Sequence, residues 1–248
     1  MKETLCFAMT LVVSTRCTLF LSSIVVLWIV TGVLKEKQVL RESDSRKINH
    51  IFVFVGGALV FGWLPEITAR VSLYIVATII LLLVTITCCY KNNKPFSYIY
   101  NANTRASDSP NTTFLFLSSW CISIAALAAV DLLFTSMYIT RTAILVVGLA
   151  DGIAEPVGRR FGQHRYAVVS FNQQPSSRSL EGSLTVWVVT LLVILFSAHA
   201  YSFWYQCLSA IAIASAITLV EAISPRGCDN FSILLTAAFL TQQLLTTN

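Results

Sequence analysis

The residues best suited to chemistry lie together between Gly148 and Tyr166. Asp151, Glu155 and Arg159 are spaced four residues apart, so a helix through this segment would place them on one face. Two carboxylates on one face can hold a divalent cation, and adjacent arginines can hold phosphate oxygens. This combination suits phosphoryl or nucleotidyl transfer, because charge on the moving phosphate must be neutralised. The structural alternative is a solvated charged loop at the end of a membrane helix. The basic or imidazole side chains of the segment are Arg159, Arg160, His164 and Arg165.

The composition is that of an integral membrane protein. Of the 248 residues, 56% are hydrophobic and 12% are charged, whereas a soluble domain is about 25% charged. The mean hydropathy is +0.73, so the chain cannot cover itself with a polar surface and belongs in a bilayer. The chain has 17 Lys and Arg residues against 12 Asp and Glu residues. The basic residues do not form a stripe with aromatic residues between them, so we expect no nucleic-acid partner. The seven cysteines form no CxxC pair, which argues against a zinc site or a disulfide framework.

The apolar runs predict an all-α, polytopic transmembrane bundle of about seven or eight spans. We expect one domain over residues 1–248. The N-terminal run is interpreted as a membrane anchor and not as a removed signal peptide, because no clean cleavage site follows it. The fifth span is short and leads into the acidic motif. The expected spans are Cys17–Leu34, Ile51–Leu64, Val71–Tyr90, Phe114–Tyr138, a segment starting near Thr142, Leu184–Ala200, Phe203–Ile223 and Phe231–Leu245.

Basic residues fall in alternate connections between these spans. Three connections, within Lys35–His50, Lys91–Thr113 and Arg159–Ser183, carry several Lys and Arg, whereas the intervening connections carry one or none. The positive-inside rule therefore places the first set, with the acidic motif, on the cytoplasmic side. This assignment requires the fifth segment to cross the membrane. Ser224–Asn230, which contains Arg226, falls on the same side, where a soluble nucleotide can meet a membrane-dissolved substrate.

Three further polar clusters lie at these cytoplasmic helix ends. Arg46–His50 can serve as a simple positive-inside anchor. Arg178–Ser183 opens the sixth span, where Ser179 can cap the helix or can help free backbone N–H groups to bind an anion. Glu221–Asn230 has the proline and glycine of an ordinary turn between helices. A turn does not explain Glu221, because an unpaired carboxylate at the end of an apolar span is costly.

Three other polar residues lie in or near the apolar zone. Asp131 is central in the fourth span and is a functional candidate, either facing a substrate hydroxyl or pairing with an arginine. Glu181 enters the sixth span and needs a partner, which a metal ion or an arginine would supply. His199 lies near the far interface and is better explained as a structural residue.

Three ordered motifs, beginning at Asp151, Arg178 and Glu221, resemble one known family. They read Asp-Gly-Ile-Ala-Glu-Pro-Val-Gly-Arg-Arg-Phe-Gly, Arg-Ser-Leu-Glu-Gly-Ser and Glu-Ala-Ile-Ser-Pro-Arg-Gly-Cys-Asp-Asn. With an early Arg-Lys-x-x-His pattern at Arg46 to His50, they resemble the CTP-dependent polyprenol kinases. That family includes phytol, farnesol and dolichol kinases and a diacylglycerol kinase, and it is distantly similar to the phosphatidate cytidylyltransferases. Three motifs in order are more specific than any one alone.

The resemblance implies phosphorylation of a lipid alcohol, with CTP as phosphate donor and Mg²⁺ as cofactor. The chain length and the Asp-Gly-Ile-Ala-Glu form of the central motif look most like the shorter phytol or farnesol kinases. Arg178 stands where lysine is commoner in the family. Arginine keeps the positive charge but changes the hydrogen-bond geometry, so this departure bears on nucleotide preference more than on phosphate binding.

These motifs assign roles to individual side chains. Asp151, Glu155 and Asp229 are predicted to hold Mg²⁺ on the CTP phosphates, and the first two are also predicted to be catalytic. A further carboxylate, Glu181 or Glu221, is predicted to orient or deprotonate the lipid hydroxyl. The predicted nucleotide-binding residues are Lys47, Arg159, Arg160, Arg165, Arg178, Ser179 and Asn230.

Two other functions fit parts of the sequence. A cytidylyltransferase, in which a lipid phosphate attacks the α-phosphate of CTP, would use the same metal and arginine residues. A transporter or channel would be expected to spread its acids through the depth of the bilayer, as Asp131 is placed. Most acids of this chain instead cluster at one face, which argues against the transporter.

Overall fold

The apolar runs form helices, and the prediction of an all-α membrane bundle is confirmed. The computed structural model of the protein describes residues 2–62, 64–134, 136–169, 176–197, 202–225 and 227–245, so His199 and Arg226 lie outside the described residues. The helices are α1 Lys2–Glu36, α2 Glu42–Phe61, α3 Glu66–Cys89, α4 Phe96–Asn103, α5 Thr112–Leu133, α6 Met137–Val146, α7 Gly152–Phe161, α8 Leu180–Ser197, α9 Phe203–Ile223 and α10 Asp229–Leu245. A single 3₁₀ turn covers Ala106–Asp108, and a π turn covers Val147–Asp151.

A short antiparallel hairpin adds two strands to the described helices. Strand β1 covers Arg165–Val168 and strand β2 covers Ser176–Ser179. Their register pairs Arg165 with Ser179. Because β2 runs directly into α8, the hairpin fixes where the sixth predicted span begins.

Six helical segments in the described part of the chain are long and apolar enough to cross a membrane. The second and eighth predicted spans also form helices, but α2 begins with the polar residues Glu42–His50 and α10 has only 17 residues. The fourth span ends earlier than predicted, at Leu133, and the next helix, α6, begins at Met137. The six segments are Val13–Glu36, Glu66–Cys89, Thr112–Leu133, Met137–Phe161, Leu180–Ser197 and Phe203–Ile223.

The fifth predicted span is the central helix of the bundle. α6, the π turn and α7 run on as one 25-residue segment, Met137–Phe161. Its apolar stretch is 61% buried, against 22–39% for the other five segments. Helix α10 packs against α5, α6 and α9 and encloses it. The π turn ends at Asp151; such turns are frequent at functional sites, and this one places the central acidic motif at the end of the most enclosed helix.

Polar groups at the far end of the bundle bond to one another. Arg70 Nε lies 3.5 Å from Asp131 Oδ1, and Tyr74 donates a hydrogen bond of 2.8 Å to Asp131 Oδ2. Glu66 accepts a hydrogen bond of 3.1 Å from the backbone N–H of Met137. Of the two roles considered for Asp131, the structure thus gives it pairing with an arginine. The acidic motif lies at the opposite end.

A close contact between α1 and α4 depends on Gly32. A Cβ atom at this position would lie 2.2 Å from the carbonyl oxygen of Tyr98. Three residues later, Lys35 Nζ donates hydrogen bonds to the carbonyl oxygens of Asn101 at 2.6 Å and Thr104 at 3.1 Å. The lysine thereby satisfies carbonyls that the end of α4 leaves open. Small residues allow such backbone approach between membrane helices.

Replacing Gly32 by alanine is expected to destabilise the protein, because the new methyl group meets backbone and α1 must move away from α4. Overpacking of this kind costs about 1–3 kcal/mol. The matched control is Gly57→Ala in α2, where the nearest atom to an added Cβ is a Phe61 ring carbon at 3.6 Å, an ordinary contact. Thermal unfolding in detergent should show a lower midpoint for G32A alone. Equal midpoints for the two variants would contradict the close approach.

Candidate active site

Two pockets open at the end of the bundle that holds the acidic motif. The first, called the polar pocket, has a volume of about 650 Å³ and is lined by five arginines and five carboxylates: Arg41, Arg105, Arg159, Arg165, Arg178, Glu42, Asp151, Glu155, Glu221 and Asp229. The second, called the apolar pocket, has a volume of about 460 Å³ and lies among α2, α5 and the start of α10. Three residues line both pockets: Arg105, Asp151 and Asp229. We call the place where they meet the junction.

Glu155 is the centre of a cluster of positive charge. Arg46 Nη2 contacts its Oε2 atom directly. Arg105 Nη2 lies 3.1 Å and Lys47 Nζ 3.4 Å from the same oxygen, and Arg159 Nη2 lies 3.1 Å from Oε1. Glu155 is therefore the shared counter-ion of four cations that come from α2, from the segment before α5 and from α7. It holds three separate parts of the chain together at the pocket wall.

Asp151 is held from the side of α2. Its Oδ2 atom lies 2.6 Å from Lys47 Nζ, whose side chain is only 4% exposed, and 3.4 Å from His50 Nε2. The His50 ring contacts the Phe54 ring at a tilt of 30°, with 4.5 Å between ring centroids. Burial lowers the pKa of His50 to about 4, so this imidazole is neutral at physiological pH. Lysine, and not histidine, therefore supplies the positive charge beside Asp151.

Arg178 joins the start of α8 to the end of α9 and the start of α10. Its Nε atom lies 2.9 Å from Glu221 Oε1, and its Nη2 atom lies 3.4 Å from Asp229 Oδ2. Its Nη1 atom is buried and has no hydrogen-bond partner among the described residues. A buried guanidinium N–H without an acceptor is costly, so Arg178 lines the polar pocket with hydrogen-bonding capacity that its two carboxylate partners do not use.

The helix start that follows is capped by a serine. Ser179 Oγ accepts a hydrogen bond of 3.1 Å from the N–H of Gly182. α7 passes close to the end of β2 and the start of α8 here, since a Cβ atom on Gly158 would lie 2.8 Å from the same hydroxyl and 3.4 Å from the Cα atom of Gly182. Of the two roles considered for Ser179, the structure gives it the capping bond while also placing it in the wall of the polar pocket.

Glu181 supports the loop before β1. Its Oε1 atom accepts hydrogen bonds from the backbone N–H groups of Gln163 at 3.0 Å and His164 at 3.2 Å, and it lies 3.0 Å from His164 Nδ1. Glu181 lies outside the linings of the two pockets. The partners of Glu181 are thus a loop backbone and an imidazole. The sequence had indicated a metal ion or an arginine instead.

Aromatic and aliphatic side chains form one wall of the apolar pocket. Most come from the first turns of α5, and Phe54 comes from α2. Asn230 Nδ2 donates a hydrogen bond of 3.2 Å to Ser123 Oγ and so ties the start of α10 to α5. The apolar lining is Phe54, Phe114, Leu115, Phe116, Trp120 and Ile122, and the serines among it are Ser118, Ser119 and Ser123.

Most of the predicted site residues come together at this end of the bundle. Glu181 and Arg160 lie outside both linings, and Arg160 Nη2 instead contacts Asp44 Oδ2 at 2.6 Å. The predicted residues in the polar pocket are Asp151, Glu155, Arg159, Arg165, Arg178, Ser179, Glu221 and Asp229. Those in the apolar pocket are Lys47, Asp151, Asp229 and Asn230.

Sequence reasoning missed Arg105. It lines both pockets and contacts Glu155, yet in the sequence it is one arginine in a polar loop and was counted only toward the charge of that loop. The position of Arg46 at a helix end is explained equally well by positive-inside anchoring. For both residues, spacing in the sequence does not by itself indicate a contact with the acidic helix.

The carboxylates at the junction fit a magnesium ion that is shared with a phosphate ligand. Mg²⁺ is commonly bound through one or two carboxylates plus substrate phosphates, and not by a cage of protein ligands. Asp151 and Asp229 both line the junction, and each has one carboxylate oxygen, Oδ2, beside a cation. Both carboxylate oxygens of Glu155 contact cations. Among the described residues, no three His, Cys, Asp or Glu side chains form a metal-holding group by themselves.

Comparison with known proteins gives one informative relative. No protein-family model matches the chain, and no solved structure matches it. A phytol kinase from Synechocystis sp. is 37% identical over 101 residues, which make up 39% of this chain and 40% of the relative. The match thus covers two fifths of the relative's length. This similarity confirms the resemblance to phytol kinases that the ordered motifs indicate.

Proposed function

We propose that this protein is a CTP-dependent kinase that transfers the γ-phosphate to a lipid alcohol of the phytol or farnesol type. The observation that carries the proposal is the polar pocket, which five arginines line together with five carboxylates, Asp151 and Glu155 of the acidic motif among them. The similarity to a phytol kinase and the membrane-spanning helices support the same conclusion.

The arginines would receive the phosphates of the nucleotide. Arg159 and Arg178 line the polar pocket, and their planar guanidinium groups can form paired hydrogen bonds with phosphate oxygens. Arg159 is half exposed, and the ion pair that it forms among the described residues is with Glu155 in its own helix, so a phosphate can compete for it. Glu155 keeps the surrounding cations in place without neutralising them all.

Asp151 would hold Mg²⁺ together with phosphate oxygens of CTP. When bound, the ion would neutralise charge on the triphosphate during transfer. The protein's own contribution is to fix the Asp151 carboxylate at the junction through Lys47. This assignment separates Asp151 from Glu155, which the contacts describe as a counter-ion.

Asp229, predicted from the sequence as a Mg²⁺ ligand, is proposed instead to orient the acceptor hydroxyl. Its neighbours Gly227, Cys228 and Asn230 line the apolar pocket, so its carboxylate stands where a hydroxyl from that side would arrive. The hydroxyl oxygen forms a bond to the γ-phosphorus, the bond from that phosphorus to the β–γ bridging oxygen breaks, and CDP leaves. The hydroxyl proton passes to Asp229. Glu221, held by Arg178 at 2.9 Å, would keep that arginine in position.

We also propose that the site faces the cytoplasm. The segments with excess basic residues meet at the end of the bundle that holds the pockets, as the contacts of Arg46, Arg105 and Arg178 illustrate. The positive-inside rule places such an end on the cytoplasmic side, where CTP is available.

A direct assay tests the proposed reaction. Purified protein in liposomes with Mg²⁺ and γ-labelled CTP would be offered phytol, farnesol, a dolichol and diacylglycerol separately. We expect label on the phytol or farnesol and release of CDP. Release of pyrophosphate with a lipid phosphate as acceptor, and no transfer of γ-label, would replace the kinase by a cytidylyltransferase.

Replacing Arg178 by lysine is expected to raise the KM for CTP by about tenfold while kcat changes less. Lysine keeps the charge but loses the fork that bonds Glu221, Asp229 and a phosphate together. Arg70→Lys, at the far end of the bundle, is the matched control and should leave the KM for CTP unchanged. Equal KM values for the two variants would remove Arg178 from the nucleotide site.

A further inference from the structure

We infer that the apolar pocket is the binding site for the lipid acceptor and that the first turns of α5 form its selective wall. This inference rests on the proposed kinase function, because it assigns a binding site to the second substrate of that reaction, the lipid alcohol. The volume of about 460 Å³ lies within the range of small-molecule sites, about 300–1,000 Å³.

The lining of the apolar pocket changes from apolar to charged along its length. On α5 the wall is made of Phe116, Trp120 and Ile122, with serines between them. At the junction the wall becomes charged, with Asp151, Asp229 and Arg105. A molecule with an apolar body and one polar end matches this gradient, and a lipid alcohol has that form. A second nucleotide would leave its phosphates against aromatic side chains.

The apolar pocket lies along a helix that can span the membrane. α5 is one of the segments long and apolar enough to span a bilayer. Phe114 lines the pocket and is 72% exposed, so the pocket wall reaches the protein surface where α5 begins. A membrane-dissolved alcohol can thus place its hydroxyl end in the pocket while the rest of its tail stays in the bilayer.

The apolar pocket and the polar pocket meet at the junction. The residues that line both include the carboxylate assigned to Mg²⁺ and the carboxylate assigned to the hydroxyl. A phosphate in the polar pocket and a hydroxyl in the apolar pocket would therefore approach each other at the junction. Transfer requires such proximity, and a lipid bound on another face of the bundle would lack it.

Photolabelling locates the acceptor without relying on activity. Wild-type protein in nanodiscs would be irradiated with a diazirine-bearing prenyl alcohol and digested for mass spectrometry. We expect adducts within residues 114–123 and 227–230, and we expect excess farnesol to remove them. Adducts that farnesol displaces from other segments only would overturn the inference.

A pair of variants on one helix provides the kinetic test. Ile122→Trp fills the pocket and should lower kcat/KM for the alcohol by at least about tenfold, with the KM for CTP unchanged. Leu132→Trp, on the 77% exposed surface of the same helix, should leave both constants at the wild-type value. An unchanged kcat/KM in a folded I122W variant would contradict the proposed wall.

The outcomes separate this inference from the proposed function. Displaceable labelling of α5, without γ-phosphate transfer by the wild type, would keep the lipid site and reject the kinase. Active transfer together with labelling elsewhere would keep the kinase and reject the site. Thermal unfolding of I122W shows whether a loss of its activity reflects misfolding. Ser119→Leu makes a smaller change in the same wall, and thermal unfolding checks its folding in the same way.

Discussion

The variant Asp151→Asn is expected to lose phosphoryl transfer by about three orders of magnitude while remaining folded in the membrane. Asparagine keeps the shape of the side chain but removes the negative charge at the junction of the two pockets. The residue would then hold Mg²⁺ weakly and would leave Lys47 with a poorer partner. Lys47 keeps Glu155 at 3.4 Å, so the fold should survive.

Asp131→Asn is the matched control for this prediction. Asp131 is also a buried carboxylate in a membrane helix, but it bonds to Arg70 and Tyr74 at the far end of the bundle. The control should lose stability and keep activity per folded molecule. Phosphoryl transfer would be measured with γ-labelled CTP, normalised to the folded fraction. D151N activity within tenfold of the wild type would contradict the role assigned to the junction.

The helices were predictable because apolar length is a local property of the sequence. Met137–Phe161 illustrates both the strength and the limit of this reasoning. The sequence predicted that a helix would lead into the acidic motif, and the positive-inside rule required it to cross. It gave no sign of the π turn at Val147–Asp151, since a change in backbone hydrogen bonding has no distinct residue pattern.

The partners of the acids were less predictable because they come from distant segments. Glu155 was predicted as a metal ligand from its spacing relative to Asp151. Its four cationic partners include Arg46 and Arg105, which are 109 and 50 residues away. A single sequence contains no measure of which loop folds over which helix end. Residue types therefore indicated that charge was present, whereas the fold decided how it was paired.

The second large effect is expected for Glu155→Gln. This change leaves four cations around a neutral amide, and Lys47 and Arg46 among them are largely buried. Removing one partner from a buried ion pair costs about 3–5 kcal/mol. We therefore expect a marked fall in the midpoint of thermal unfolding in detergent, together with loss of activity as the arginines separate.

Unfolding in the presence of EDTA distinguishes the counter-ion from the predicted metal ligand. A counter-ion stabilises the protein without metal, so E155Q should unfold earlier than the wild type in EDTA, and added Mg²⁺ should not restore its activity. A metal ligand would behave differently, because the two proteins would unfold alike in EDTA and high Mg²⁺ would rescue the variant. Arg159→Gln is the matched control: its side chain is 49% exposed, and exposed pairs contribute only about 0–1 kcal/mol. The same stability loss in R159Q and E155Q would mean that the buried cations do not depend on Glu155.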